Sequence, residues 1–384
     1  MRYLLTLALL LNLGCDQARY ASSTLDGAGP DPAAPAPDPS APEPDGDART
    51  GATRLAATAL LDLDVTTDGD PVVAYIDAHG LAQLASLAPD WAWQTALPAG
   101  VSALDDRDSH RFDLVMDDPT QAYVCHVEQG RVRLSRIDGV DHPTEVIRVV
   151  EVTSAVQGCR VVLDDAGEAW LAWSHDDHGF IKIAIDNVER GTTQLAGDAD
   201  PDGYENLPMP FAVAVDEHGP AALITSQAGL WAWRGNEVDA LIRYAGVATH
   251  RPVGLEIVRN GTHWAQVQRW DRPNTGYSTT IWRLQADTLV EIPASHALVE
   301  QQVRTTGWGL TTQGVPVLVS AREGELFYHL DPDATADPPP RVSLGDVGPV
   351  RSLQSVVGPD DRLHIVYVEA DRDLLVHRTV DLRR

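Results

Sequence analysis

From about residue 60 onward, apolar side chains flank a series of turn-forming positions at a fixed distance. The turns fall at Gly69, Pro119, Gly167, Gly219, Gly261, Gly314 and Asp361. Four residues before them stand Val65, Val115, Leu163, Val215, Ile257, Leu310 and Val357. Four residues after them stand Val73, Tyr123, Leu171, Leu223, Ala265, Leu318 and Ile365. Within a unit the apolar residues alternate, as in Leu61-Asp62-Leu63-Asp64-Val65 and Phe211-Ala212-Val213-Ala214-Val215, which is the period of a β-strand.

Turn chemistry agrees with strands. Asp68-Gly69, His218-Gly219 and Asn260-Gly261 suit hairpin turns that need positive φ, and Pro119 predicts a different turn type. A second set of glycines follows about ten residues on, at Gly80, Gly130, Gly179, Gly229, Gly276 and Gly324. A fourth strand is predicted over 145–150 and 238–243. Each unit thus reads as a four-stranded sheet, and the units recur about every 49 residues, a spacing at which propeller blades repeat. The expected fold is all-β: a seven-bladed β-propeller of four-stranded blades spanning 51–384. The chain ends soon after the third strand of the last unit, so the missing outer strand is expected to come from residues 49–57. The pairs Trp91/Trp93 and Trp231/Trp233 are expected to pack between blades.

The segments VTTDGDPVVAY (65–75), VVLDDAGEAWLAW (161–173) and VAVDEHGPAALI (213–224) resemble a broad class of bacterial β-propellers with a VxxDxxGxxxVAY cadence. The resemblance implies the fold and leaves activity open. Sialidase boxes, W-D endings, kelch glycine pairs and YWTD tetrapeptides do not occur in the sequence.

The N-terminus has a different character. Met1-Arg2 precedes an apolar run, Tyr3–Leu13, that is too short to span a bilayer. It ends in Leu11-Asn12-Leu13-Gly14-Cys15, which resembles a bacterial lipobox in Gly14 and Cys15 and departs from it at Asn12. The resemblance implies a lipoprotein-type signal peptide over 1–15, with Cys15 lipidated, and export to the periplasmic or cell-surface side of a bacterial membrane. Residues 16–50 are rich in Pro, Ala and Asp and lack the apolar bulk to offset chain entropy. They are expected to form a disordered, extended linker.

Charge narrows the partners. A net charge of −27 argues against nucleic acid, whose binding relies on Lys and Arg neutralising phosphates. It also argues against docking on anionic lipid, which leaves the lipid anchor as the one expected membrane contact.

Several residues carry candidate chemistry. With Cys15 in the leader, Cys125 and Cys159 are an even pair. Cys125 lies late in one unit's second strand and Cys159 opens the next unit's first strand, so an inter-blade disulfide is feasible beside the alternative of two buried thiols. Asp198-Ala-Asp200-Pro-Asp202-Gly-Tyr204-Glu-Asn206 alternates oxygen donors around a glycine turn, as a structural Ca²⁺ site would. It resembles the calcium loops of integrin-type propellers, with Asn206 where those place Asp. The stretch Ser174-His175-Asp176-Asp177-His178-Gly179 offers two imidazoles and two carboxylates, read either as a metal site or as a polar turn. The longer 269–277 connection carries Trp270, Arg272 and Tyr277 and is a candidate recognition loop. Nucleophile elbows, phosphate loops and H-E-x-x-H do not occur in the sequence.

Three functions fit these features. The first is a lipid-anchored, non-catalytic module binding protein, peptide or glycan. The second is a carbohydrate- or lactone-active enzyme with acidic residues at the channel mouth. The third is a structural envelope component.

Overall fold

The computed structural model describes residues 53–87, 94–104, 111–138, 144–152, 156–177, 180–198, 211–216, 219–226, 229–234, 237–243, 250–257, 263–271, 276–285, 288–291, 297–299, 306–330 and 341–383. The expected leader, its Cys15 and the linker over 16–50 lie outside them. Among the described residues, no helix is long and apolar enough to cross a membrane.

Seven β-sheet blades follow one another along the chain. The first comprises β1 (Thr53–Val65), β2 (Pro71–Asp77), β3 (Ala82–Ser86) and β4 (Gln94–Ala96). The second comprises β5 (Phe112–Met116), β6 (Gln121–Glu128), β7 (Arg131–Asp138) and β8 (Glu145–Glu151). The third holds β9 (Val156–Leu163), β10 (Ala169–Asp177), β11 (Phe180–Asn187) and β12 (Thr192–Asp198), and the fourth β13 (Phe211–Asp216), β14 (Gly219–Ser226), β15 (Gly229–Arg234) and β16 (Glu237–Arg243). In the fifth, β17 (His250–Ile257), β18 (His263–Asp271), β19 (Gly276–Gln285) and β20 (Thr288–Glu291) are joined by β21 (Ala297–Val299), which pairs with the far half of β19. The sixth contains β22 (Thr306–Leu310), β23 (Pro316–Arg322), β24 (Glu325–Leu330) and β25 (Arg341–Asp346). The seventh has β26 (Val350–Val357), β27 (Arg362–Glu369) and β28 (Leu374–Asp381).

The seventh blade takes its outer strand from the start of the domain. Residues Thr53–Ala56 of β1 pair antiparallel with Leu374–His377 of β28, and the rest of β1 pairs with β2. This matches the closure expected from residues 49–57. It joins first and last blades into one seven-stranded sheet and removes two strand edges that would otherwise stand open.

Alternating side chains pack blade against blade. Leu61, Val72 and Leu84 of the first meet Phe112, Leu114 and Val124 of the second. Tyr123 and Leu134 meet Val161, Leu171 and Trp173 of the third. Leu60, Val73 and Tyr75 meet Val366, Val368 and Leu375 across the closure.

The repeat register expected for the second unit is off by one. Val65 and Leu163 end their strands paired with Pro71 and Ala169. In the second blade Met116 holds that place, paired with Ala122, and Val115 pairs with Tyr123. Thr120, rather than Pro119, therefore occupies the position of Gly69. The Asp118 carboxylate supports that turn by accepting the Thr120 N–H at 2.6 Å and the Gln121 N–H at 2.8 Å, so no glycine is needed.

Candidate functional site

From Ala59 on in β1, and along β5, β9, β13, β17, β22 and β26, the first strand of each blade pairs on one side only. Its outward N–H and C=O groups have no neighbour within their own sheet, and they need partners wherever water is excluded. Side chains from the adjacent blade supply them. Three residues before the end of their strands, Asp62, Asp113, Arg160 and Gln354 occupy one equivalent position in the first, second, third and seventh blades. Asp62 Oδ2 accepts the Leu114 N–H at 2.8 Å, and Asp113 Oδ2 accepts the Val161 N–H at 2.7 Å. Gln354 Nε2 donates to the Leu61 carbonyl at 3.0 Å. Two residues further along β1, Asp64 Oδ2 accepts the Met116 N–H at 2.7 Å.

Charge is concentrated at the first three of these positions. Arg160 Nη1 lies 3.8 Å from Asp113 Oδ1 and donates to the Cys159 carbonyl at 3.1 Å. Its guanidinium also stands over the Phe211 ring of the fourth blade, 5.9 Å from the centroid. Burial and the neighbouring Asp113 hold the Asp62 carboxyl well above the usual carboxylate range. Burial also raises Asp113, against the opposing pull of Arg160. Asp64 is raised to about 7 by burial, which outweighs its backbone hydrogen bonds. The three residues are half-buried, and the surrounding protein still desolvates their carboxyls.

The sixth blade solves the same packing problem without charge. Gly307 and Gly309 of β22 stand against Ser355 and Val357 of β26, where a Cβ on Gly309 would meet the Val357 nitrogen at 3.0 Å. Ser355 Oγ donates to the Trp308 carbonyl at 3.2 Å.

The expected sites fare unevenly. Cys125 of β6 and Cys159 of β9 face each other between blades two and three, both fully buried as thiols, with Sγ atoms 2.6 Å apart. Ser174–Asp177 are strand rather than turn: His175 pairs with Lys182, Asp176 with Ile181 and Asp177 with Phe180. His178 lies outside the described residues. Both ends of the 269–277 segment are likewise strand: Trp270 pairs with Tyr277, Asp271 pairs with Gly276, and β21 flanks Tyr277. Arg272 lies outside the described residues. Of the calcium-loop candidates, Asp198 ends β12 opposite Lys182, while Asp200, Asp202, Tyr204 and Asn206 lie outside the described residues. Among the described residues no group of three or more His, Cys, Asp or Glu side chains is arranged to hold a metal.

Sequence reasoning did not single out Asp62, Asp113 or Arg160. The available signal was a polar residue at a fixed distance from each strand end. The one-residue misregister at Pro119 concealed it, because such a slip moves Asp113 to the opposite face of its blade.

No protein-family model matches the chain, and no curated protein matches it. Among solved structures, the chain is similar to an oligogalacturonate lyase in complex with manganese at 10% identity, over 86% of this chain and 98% of that one, with a TM-score of 0.49. It is similar to the WD40 domain of SCAP from fission yeast at 10% identity, over 87% and 98%, with a TM-score of 0.47. It is also similar to the GH93 α-L-arabinofuranosidase of Fusarium graminearum in complex with arabinobiose, at 11% identity over 71% and 92%, with a TM-score of 0.44. These neighbours are β-propeller proteins. The strand order and the β1–β28 closure give this chain the same architecture.

Proposed function

We propose that this protein is an exported, lipid-anchored β-propeller that binds a protein, peptide or glycan without transforming it. The observation that carries this reading is the use made of the inner-strand charges. Asp62 and Asp113 spend their acceptor capacity on N–H groups of the next blade, and Arg160 spends its donors on Asp113 and backbone carbonyls. Polar groups committed in this way hold a rigid ring together.

The enzyme reading draws on one specific feature, the raised carboxyls of Asp62 and Asp64. Glycosidase carboxyls, however, stand about 5–10 Å apart, with the substrate bond or a water between them. Asp62 and Asp113 are instead each engaged by a backbone N–H of the following blade, those of Leu114 and Val161.

Two sequence features support the membrane tether: Gly14-Cys15 after the apolar run and the Pro-rich segment over 16–50. Labelled palmitate should enter the wild-type chain and not Cys15→Ala; equal labelling of both defeats the anchor. Capture from envelope extract should recover the same partner with wild type and with an Asp62→Asn/Asp113→Asn variant shown to be folded. Turnover of a glycoside or lactone that this variant abolishes would establish the enzyme reading instead.

A further inference from the structure

One buried reactive pair takes no part in these inter-blade clasps. Cys125 and Cys159 are 34 residues apart in sequence, lie in different blades, and have their Sγ atoms 2.6 Å apart with no solvent exposure. They also adjoin the charged cluster: Cys125 pairs directly across from Asp113, and Cys159 precedes Arg160.

We infer that Cys125 and Cys159 form a disulfide that staples the second blade to the third. Two observations favour a bond over packing alone. The two strands arrive from separate sheets with no ladder hydrogen bonds between them, and the thiols nevertheless meet side chain to side chain. Val127, Leu134, Val161 and Leu171 belong to the same buried cluster, which holds both sulfurs at the interface between the blades. The staple fixes β6 against β9, and thereby the register in which Asp113 meets Val161 and Arg160.

The oxidant is a donor disulfide, either that of an exchange enzyme or oxidised glutathione. One cysteine thiolate attacks the donor disulfide and expels the first donor thiolate. The second cysteine attacks the resulting mixed disulfide and expels the other. One protein S–S bond forms, one donor S–S bond breaks, and two electrons and two protons end on the donor as two thiols. Because both sulfurs are fully covered in the fold, the exchange takes place before blades two and three close on each other. The geometry stands apart from the anchor proposal, which concerns only the compartment supplying the oxidant.

The test uses the full chain refolded with reduced and oxidised glutathione, then alkylated in denaturant before and after reduction. Without reduction, tryptic peptides 112–131 and 149–160 are expected to appear as one species 2 Da below the sum of their masses, with neither cysteine alkylated. After reduction both should be alkylated. Full alkylation before reduction, or pairing of either cysteine with another chain, overturns the inference. A stability readout separates a bond from packing. Reductant should lower the melting temperature of the wild type to that of a Cys125→Ser/Cys159→Ser variant and leave the variant unmoved. Should the variant not fold, the wild type with and without reductant decides alone: an unchanged melting temperature overturns the staple.

Discussion

Asp62 and Asp113 hold the same place in successive blades and make the same bond, each accepting an inner-strand N–H from the blade that follows, Leu114 for the first and Val161 for the second. The ring is therefore tied by side chains where sheets end and ladder bonds stop. Replacing Asp113 with Ala leaves the Val161 N–H and one side of Arg160 without an acceptor. It should cost about 2–4 kcal/mol of unfolding free energy. Asp113→Asn keeps an acceptor and should cost less than half as much. Urea denaturation at pH 7 measures both.

Asp64 gives the fold a pH dependence of unusual sign. In the unfolded chain it ionises near pH 4. In the fold its proton is held to about 7. Between those values folding takes up a proton, so this group's contribution falls as pH rises from 4 to 7 and is level above. The expected size is on the order of 2–4 kcal/mol. Asp64→Asn, which can still accept the Met116 N–H, should remove that slope and equal or exceed the wild type at pH 8.

His364 and His377 oppose this trend. Their rings stack with centroids 5.4 Å apart, and Nδ1 of His364 lies 3.2 Å from Nε2 of His377. Thr379 Oγ1 is 3.3 Å from the same nitrogen, and Asp360 and Arg362 supply the nearby charges. Burial lowers His364 to about 4 and, with the repulsion of His364, lowers His377 to about 3. The unfolded chain takes up these protons first, so stability is complete above pH 6.5 and is lost as pH falls toward 3. His377→Gln should flatten that loss while leaving the Asp64 slope in place. Melting curves of the two variants between pH 3 and 8 separate the contributions, which partly cancel in the wild type.

Closure of the ring can be broken at one bond. Ala57 is fully buried and donates its N–H to the Asp373 carbonyl at 2.9 Å, where β1 passes from the seventh blade to the first. Ala57→Pro deletes this donor and should destabilise the domain by about 3 kcal/mol. Amide exchange should then rise first along β28, whose residues 374–377 pair with the closing strand.

The staple carries its own magnitude. Closing a loop of 34 residues removes unfolded-state entropy worth about 4 kcal/mol on the chain-entropy account. Loss of that order on reduction, seen as a lower urea midpoint with little change in slope, is the expected outcome.

The Gly309 contact makes a steric prediction. A methyl there would drive into the Val357 nitrogen and side chain. Gly309→Ala should therefore cost about 1–3 kcal/mol, read by urea denaturation. A like change at exposed Gly80, which has open space around it but φ +76°, should cost through backbone conformation alone.

Strand content, blade number and closure were legible in the chain because each rests on local periodicity. Alternating residues such as Leu61-Asp62-Leu63 can bury one face only as a strand, and an odd outer strand must come from the other end. The inner-strand clasp was not legible. Asp62, Asp113 and Arg160 lie some fifty residues apart, and their meeting depends on the register of three separate sheets. One turn residue at Thr120 was enough to hide it. Likewise, His175–Asp177 and Arg269–Asp271 looked like parts of open turns because polar residues and glycine mark both turns and long hairpins. Pairing with Phe180–Lys182 and with Gly276–Ser278 made them strands. Sequence determined which residues seek burial, since that is a property of each side chain. Tertiary structure decided which polar groups satisfy one another, since that depends on distances between blades that no local pattern encodes.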